Sequence, residues 1–397
     1  MKVLIVLGWP LEHGGHMNSA LCLGKNLIRS GTTLFVCAPY GPKINDFLDL
    51  GMKVVACDAL AKRFPRNLMS VPSLISIILK ENIDVVHAMD YQSLYPGFLA
   101  ASLLGRKLLF TKAGGETPEY IIPLETNVVV YSGELLEGMQ AQYPYLFDRF
   151  HLIKARIDTD LFHPIEQSIS EPAHRPVKIF MAMRLEESKR PWLETAITGI
   201  TDLAGKNPSF VFLLAGNGGL GSEIEAQVER INRRYNRDVI LLLGGISSIA
   251  DMNKLYNDAD LIVGHGRGIL EAMACGKPVV AIGKHGEATI VRRDTVEQIS
   301  YYNFSGRHLD HHPELSQNFN EVLETLLKHP EKREELKDFS LEYIKCEYAA
   351  DIGAKHLQKL YGVESKPIYY RYAYILRWLF DEVRTRITRY FSKQQPH

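Results

Sequence analysis

At 397 residues the chain has room for two domains of ordinary size, each with its own core. A hydrophobic fraction of 46% and a charged fraction of 23% suit a soluble globular protein, and 46 basic residues balance 46 acidic ones, so no global field argues for a nucleic-acid partner. Five scattered cysteines (Cys22, Cys37, Cys57, Cys275, Cys346) lack CxxC spacing, which argues against a zinc centre or disulfide scaffold and for a reducing cytoplasm.

The opening apolar run is too short for a signal peptide and stops at Gly8-Trp9-Pro10, so residues 2–7 are expected to form a buried strand. No run of about 18 apolar residues predicts a membrane span. A loop with Gly14 and Gly15 follows, and the spacing of Met17, Leu21, Leu23 and Leu27 predicts a helix ending near Gly31. Strand, glycine loop and helix at the start of a chain make a ligand-binding βα turn, although both glycines can equally serve packing alone. Further strands are expected at 33–38, 53–57, 84–88, 107–111, 127–131 and 151–153, with helices near 73–80 and 95–104. This alternation implies a doubly wound parallel sheet. His87 closes an apolar strand, where a lone histidine is either hydrogen-bonded scaffold or a group that orients a ligand. Lys112, just before Gly114-Gly115, either supplies charge to a phosphate or carboxylate or caps a strand end in water.

Residues 166–176 mix Ser, Glu, Pro and His without periodicity and are expected to link a domain at 1–165 to one at 177–362. The second domain opens with a strand at 178–183, then Arg184 and a charged loop carrying Lys189, then a helix from Pro191. Two cations at a strand's C-terminal end suit a dianionic group; the alternative is an exposed charged turn. A strand at 210–215 leads into Gly216-Asn217-Gly218-Gly219-Leu220-Gly221, a literal GxGxxG. It is not in the chain's first βα unit, and the next strand, at 239–243, ends in Gly244-Gly245 rather than an acidic ribose ligand, so a dinucleotide is not expected. The triplets Asp158-Thr159-Asp160 and Asp258-Ala259-Asp260 fall at element borders, where Asp is common, and no metal is expected there.

At 264–283 the chain joins a glycine loop to a short helix and a buried strand. Gly264, Gly266 and Gly268 allow positive φ and close approach of a ligand, and a helix at about 269–274 aims its free N–H groups and positive dipole end at that loop, which favours a diphosphate. Glu271 is expected in the first turn, where a carboxylate can accept from sugar hydroxyls. Lys277-Pro278 blocks continuation, and 279–282 reads as a buried parallel strand. Helical patterns return at 314–327 and 331–343, and the domain is expected to close near 357–361. In the tail, 363–397, the apolar residues Tyr372, Leu376, Leu379, Phe380, Val383, Ile387, Tyr390 and Phe391 recur at helical spacing, and Arg371, Arg377, Arg384, Arg386, Arg389 and Lys393 outnumber Asp381 and Glu382. Such a basic amphipathic helix at 369–393 suits an anionic membrane surface.

The segment Leu270-Glu271-Ala272-Met273-Ala274-Cys275-Gly276-Lys277-Pro278-Val279-Val280 resembles the donor signature of GT-B glycosyltransferases, in particular the retaining family 4 group (glycosyl transferases group 1). There a Glu, seven residues and a second Glu open the pattern; Glu271 is the second, and Val263 stands at the first. Ile157-Asp158-Thr159-Asp160-Leu161-Phe162-His163-Pro164 resembles the family's Val-Asp-Thr-x-x-Phe-x-Pro stretch, and the likeness runs over about 1–362. It implies an α/β fold of two doubly wound Rossmann-like domains facing across a cleft. It also implies transfer of a sugar from a nucleoside-diphosphate sugar to a glycan or lipid-linked acceptor, in cell-surface polysaccharide or glycolipid synthesis, with no cofactor or metal. The cysteine usage and the basic tail, rather than the resemblance, suggest the cytoplasm, peripheral on the inner face of the membrane.

Arg184 and Lys189 then correspond to the pair that grips the diphosphate, with the backbone at Gly266, Arg267, Gly268, Ile269 and Leu270; Glu271 holds the ribose. Gly14 and Gly15 correspond to a cleft loop. His87 and Lys112 are the catalytic candidates, the latter one residue from where many members carry a His-Gly pair. Family chains often end in a helix that packs back on the first domain, which competes with the membrane reading of the tail. Two rivals share the fold: a nucleotide-sugar epimerase, and a non-catalytic sugar-nucleotide-binding paralogue, suggested by Val263 and the missing histidine.

Overall fold

Apolar runs of strand length, separated by helices with one apolar face, bury both faces of a sheet only as parallel strands covered by helices; the chain does this twice. The structure, a computed structural model, describes residues 1–12, 15–114, 121–124, 126–154, 156–165, 175–206, 209–246, 249–362, 372–373, 375–381 and 384. It divides into one unit of Met1–Arg156 with Ala350–His397 and a second of Ile157–Ala349.

The first unit runs β1 (Lys2–Val6), α1 (Gly15–Arg29), β2 (Thr33–Ala38), α2 (Ile44–Asp49), β3 (Lys53–Ala56), α3 (Val71–Glu81), β4 (Val85–Ala88), α4 (Tyr91–Leu103), β5 (Lys107–Lys112), β6 (Asn127–Val130), α5 (Gly133–Gln142) and β7 (Phe150–Leu152). The strand order is β3-β2-β1-β4-β5-β6-β7, every pair parallel. The order reverses between β1 and β4, and the carboxyl ends of strands at such a switch point are where open α/β sheets take ligands.

The second unit runs β8 (Val177–Ala182), α6 (Arg190–Ala204), β9 (Phe210–Ala215), α7 (Gly221–Tyr235), β10 (Ile240–Gly244), α8 (Ile249–Asp258), β11 (Leu261–Gly264), α9 (Arg267–Ala274), β12 (Val279–Ile282), β13 (Glu287–Ile290), α10 (Val296–Tyr301), α11 (His308–His311), β14 (Gln317–Asn318), α12 (Phe319–Lys328) and α13 (Pro330–Tyr343). Its order is β10-β9-β8-β11-β12-β13-β14, parallel as far as β12, after which β13 and β14 pair antiparallel.

The closing helix α14 (Ala350–Gly362) does not end the second unit, as the sequence suggests, but belongs to the first. Its stripe of Ala354, Leu357 and Tyr361 is buried in one cluster with Val3 and Ile5 of β1 and Leu23 and Leu27 of α1. The first boundary correspondingly falls at Arg156 rather than near 165, because Ile157 pairs with Ala349 and its N–H donates to Tyr348 O.

In the tail, Trp378 is buried with ring centroids 4.9 Å from Tyr95, 5.8 Å from Phe98 and 6.4 Å from Phe64, so one side of the segment is core of the first unit. Leu376, Leu379 and Phe380 remain exposed. The rest of the expected 369–393 helix lies outside the described residues.

Candidate functional site

In the second unit a single charged turn is divided by the start of α6. Arg190 turns outward, Nε 2.8 Å from Glu187 and Nη1 2.5 Å from Glu223. Lys189, one residue earlier, turns inward: Nζ lies 3.5 Å from Nε2 of His265 and 5.1 Å from the centroid of Trp192. Burial pushes its ammonium below the ordinary lysine range, helped by repulsion from Arg184 and Lys284 and opposed by Glu186. Arg184 is exposed and 3.6 Å from Glu186.

Arg184 is held by the GxGxxG segment. A Cβ on Gly216 would overlap the carbonyl oxygen of Met183, and one on Gly218 that of Leu185. Leu185 N donates to Asn217 O at 2.9 Å and Leu220 N to Leu185 O at 2.8 Å. The missing side chains therefore make room for the chain's own backbone on both sides of Arg184, which accounts for the motif without a dinucleotide.

β11 ends at Gly264, and the chain turns through His265 to Gly266, whose φ of +70° and ψ of −144° are a glycine conformation. α9 starts there, two residues earlier than the sequence predicts, so the N–H groups of Arg267 and Gly268 have no acceptors within the helix. Ile269 and Leu270 are core side chains, and only their backbone belongs to the helix start. The early start also places Glu271 in the second turn rather than the first. There Oε1 pairs with Nε of Arg267 at 2.6 Å, and Tyr256 OH lies 3.5 Å from Oε2. Val263, at the place of the resemblance's first Glu, is buried in the strand core. Burial, with Lys189 and Arg307 adding to it, lowers His265 to about 4, so its imidazole is neutral at pH 7.

In the first unit the catalytic expectation for His87 does not fit its surroundings. The residue is buried, Nδ1 meets Tyr361 OH at 2.7 Å and Nε2 meets Thr111 Oγ1 at 2.7 Å, so neither nitrogen is available. Burial lowers its pKa to about 3. Between that value and the unfolded 6.5 only the unfolded chain takes up a proton, so this group's stabilisation is present above pH 6.5 and is lost as pH falls toward 3. At pH 5 the loss is on the order of 2 kcal/mol. Thermal melts from pH 7.5 to 5 are expected to show a falling Tm, and His87→Gln a shallower fall; an equal slope in the variant would refute the assignment.

Lys112 ends β5, half-buried, with its ammonium donating to Gly114 O and lying 5.5 Å over the ring of Tyr91; burial lowers its pKa. Gly15 opens α1 with free space where a Cβ would stand, and Gly14 lies outside the described residues. Asp90, at the switch point, is a residue the sequence reading passed over. It caps α4 through Ser93 N at 2.8 Å and accepts from Gly8 N at 2.7 Å, and burial, against those bonds, raises its carboxyl. An Asp just after a strand and three before a Ser was the available signal. His265, Trp192 and Lys284 were also missed, since each is single and no local pattern marks it.

Both Asp triplets have structural tasks: Asp158 Oδ1 accepts from Asp160 N at 3.0 Å, and Asp260 accepts from Nη1 and Nη2 of Arg175 at 2.6 and 2.7 Å. Among the described residues no three metal-ligating side chains gather.

Residues 164–341 match the family model described as glycosyl transferases group 1. No curated protein matches the sequence. Among solved structures, a glycosyltransferase from Rickettsia africae is similar at 17% identity and a TM-score of 0.67, over 91% of this chain and 97% of that one. Anabaena HepE in complex with UDP-glucose is similar at 16% identity and 0.64, over 91% and 100%. The UDP-GlcNAc 2-epimerase of Neisseria meningitidis bound to UDP-GlcNAc is similar at 16% identity and 0.55, over 91% and 99%. At these identities the structural likeness establishes the GT-B fold.

Proposed function

The chain carries a glycosyl transferases group 1 domain over residues 164–341, and from that premise we propose that it moves a sugar from a nucleoside-diphosphate sugar to an acceptor hydroxyl. The observation that carries this reading is the inward turn of Lys189 onto the His265-Gly266 loop from which α9 begins. A half-buried ammonium and a helix N-terminus beside one loop stabilise negative charge that grows as a diphosphate leaves. Arg184 adds a second, exposed cation. Glu271, fixed by Arg267, is a carboxylate acceptor for ribose hydroxyls. Lys112 is the first unit's candidate for charge near the acceptor. The retaining outcome rests on the family resemblance.

Incubation with UDP-, GDP- and ADP-sugars, with and without a lipid and polysaccharide extract as acceptor, tests the reading. The expected result is nucleoside diphosphate released only when acceptor is present. Epimerised donor without acceptor would favour the epimerase, and tight donor binding with neither product the non-catalytic paralogue.

The acceptor is proposed to be a glycan or glycolipid at an anionic membrane, in the synthesis of cell-surface polysaccharide. Trp378 fastens the tail to the first unit, while Leu376 and Phe380, 68% and 63% exposed, stand beside the exposed cations Arg377 and Arg384. Exposed apolar side chains flanked by Arg384 and by Arg377, the latter paired to Asp381 at 2.8 Å, suit a lipid headgroup boundary. Among the described residues no helix is long and apolar enough to cross a membrane, so attachment would be at the surface. The protein is expected to sediment with anionic vesicles at low salt, and Leu376→Ser/Phe380→Ser to reduce the bound fraction several-fold. Equal sedimentation of the two would rule out this face.

A further inference from the structure

Two lysines share one indole in the second unit. Trp192, in the first turn of α6, has Lys189 Nζ and Lys284 Nζ each 5.1 Å from its ring centroid, and the ring of His265 stands edge-on to it at 4.8 Å. Lys284 comes from a different part of the sheet, two residues beyond the end of β12. Among the described residues neither lysine forms an ion pair, and Lys284 is exposed. An aromatic face attracts each ammonium, but the two cations repel each other through the same small space. Lys189 is depressed partly by Lys284, so the repulsion is felt within the site. Two ammonium groups gathered on one ring, only partly offset by Glu186 beside Lys189, are complementary to an anion with more than one charge.

Resting on the donor-site reading above, we propose that Lys189 and Lys284 form one clamp for the donor's diphosphate, with Trp192 as the platform that holds both ammonium groups. His265 is a positioning residue: as a neutral imidazole 3.5 Å from Lys189 Nζ, it can accept from that ammonium without adding a third positive charge. Sequence alone separates these four residues by up to 95 positions, from Lys189 to Lys284, and the parallel order β8-β11-β12 brings them together. The clamp gives the second unit a phosphate ligand from the segment after β12, a role that the resemblance does not imply for Lys284.

The test is calorimetric titration of the full-length protein with UDP, GDP and ADP, and with the monophosphate of whichever base binds. Lys284→Ala is expected to weaken the nucleoside diphosphate about tenfold and to change the monophosphate less than twofold, because only the diphosphate reaches both lysines. Trp192→Phe keeps an aromatic platform and is expected to retain most of the affinity, whereas Trp192→Ala should lose more than Lys284→Ala. Equal weakening of mono- and diphosphate by Lys284→Ala, or none, would overturn the clamp while leaving the donor site standing. Failure of the parent protein to bind any of the three diphosphates would overturn the donor-site reading itself. Because Lys284 is exposed, its alanine variant is expected to melt with the parent, and the melt is recorded alongside each titration.

Discussion

Lys189→Ala is expected to lower kcat/KM for the sugar-nucleotide donor by at least about tenfold, roughly 1.4 kcal/mol of transition-state stabilisation. The ammonium is held rather than waving: it is half-buried, seated on Trp192 and within 3.5 Å of His265. A cation already desolvated and placed costs little reorganisation when the leaving diphosphate gains charge, so its contribution falls mainly on kcat. Arg184→Ala should have the smaller effect, because its side chain is exposed and screened beside Glu186. Arg190→Ala serves as the control, since its fork is committed to Glu187 and Glu223. Steady-state kinetics decide it: unchanged parameters in both Lys189→Ala and Arg184→Ala would reject the site.

The largest expected loss of stability is at Gly216. A methyl group there would overlap the Met183 carbonyl oxygen, a backbone atom fixed by the pairing of β8 with β9, so the strand ends must move apart. Gly216→Ala is expected to cost about 3 kcal/mol, the upper end for overpacking, and roughly 6–12 °C in Tm for a unit of this size. Gly219→Ala, three residues on in the same motif, meets no atom within 4 Å and should be nearly neutral. Comparable melts for the two variants would show that the motif is not packed as described. The comparison also separates the packing account from a nucleotide-binding one, in which Gly216→Ala would weaken ligand affinity without a large change in Tm.

Much of the fold was legible because the sheets are buried on both faces. The runs at 33–38, 210–215 and 279–282 are apolar throughout except for the exposed Thr33, and the strands occupy the same residues. β13 and β14 were not legible: four and two residues long, with exposed or half-buried ends, they carry no periodicity and are defined by antiparallel pairing beside β12. The allegiance of α14 was hidden too. Its stripe states that it packs, and only the tertiary fold states that it packs on β1 and α1.

The candidate site divides in the same way. The loop and helix at Gly266–Glu271 are local chemistry and could be read from glycine positions and the Leu-Glu-Ala-Met-Ala segment. The error of one turn at Glu271 came from Gly266, whose positive φ lets the helix begin at Arg267. His87 was ambiguous for a physical reason: a histidine near the end of a strand at the switch point is common to scaffolds and active sites, and its bonds to Tyr361 and Thr111 are those of a scaffold. Tyr361 is 274 residues away from it, beyond any sequence window. Trp192, His265 and Lys284 were invisible for the same reason, since three separate loop and helix starts supply them.

The central claim, that the second unit holds a nucleoside-diphosphate sugar, is tested most directly by equilibrium titration of the intact protein with UDP-glucose, GDP-mannose and ADP-glucose, followed by the same titration of Lys189→Ala. Binding of at least one donor at one site per chain, accompanied by a rise in Tm and weakened about tenfold or more by the substitution, is the predicted result. Binding of none of the three by protein that melts cooperatively, or binding that Lys189→Ala leaves intact, would contradict it.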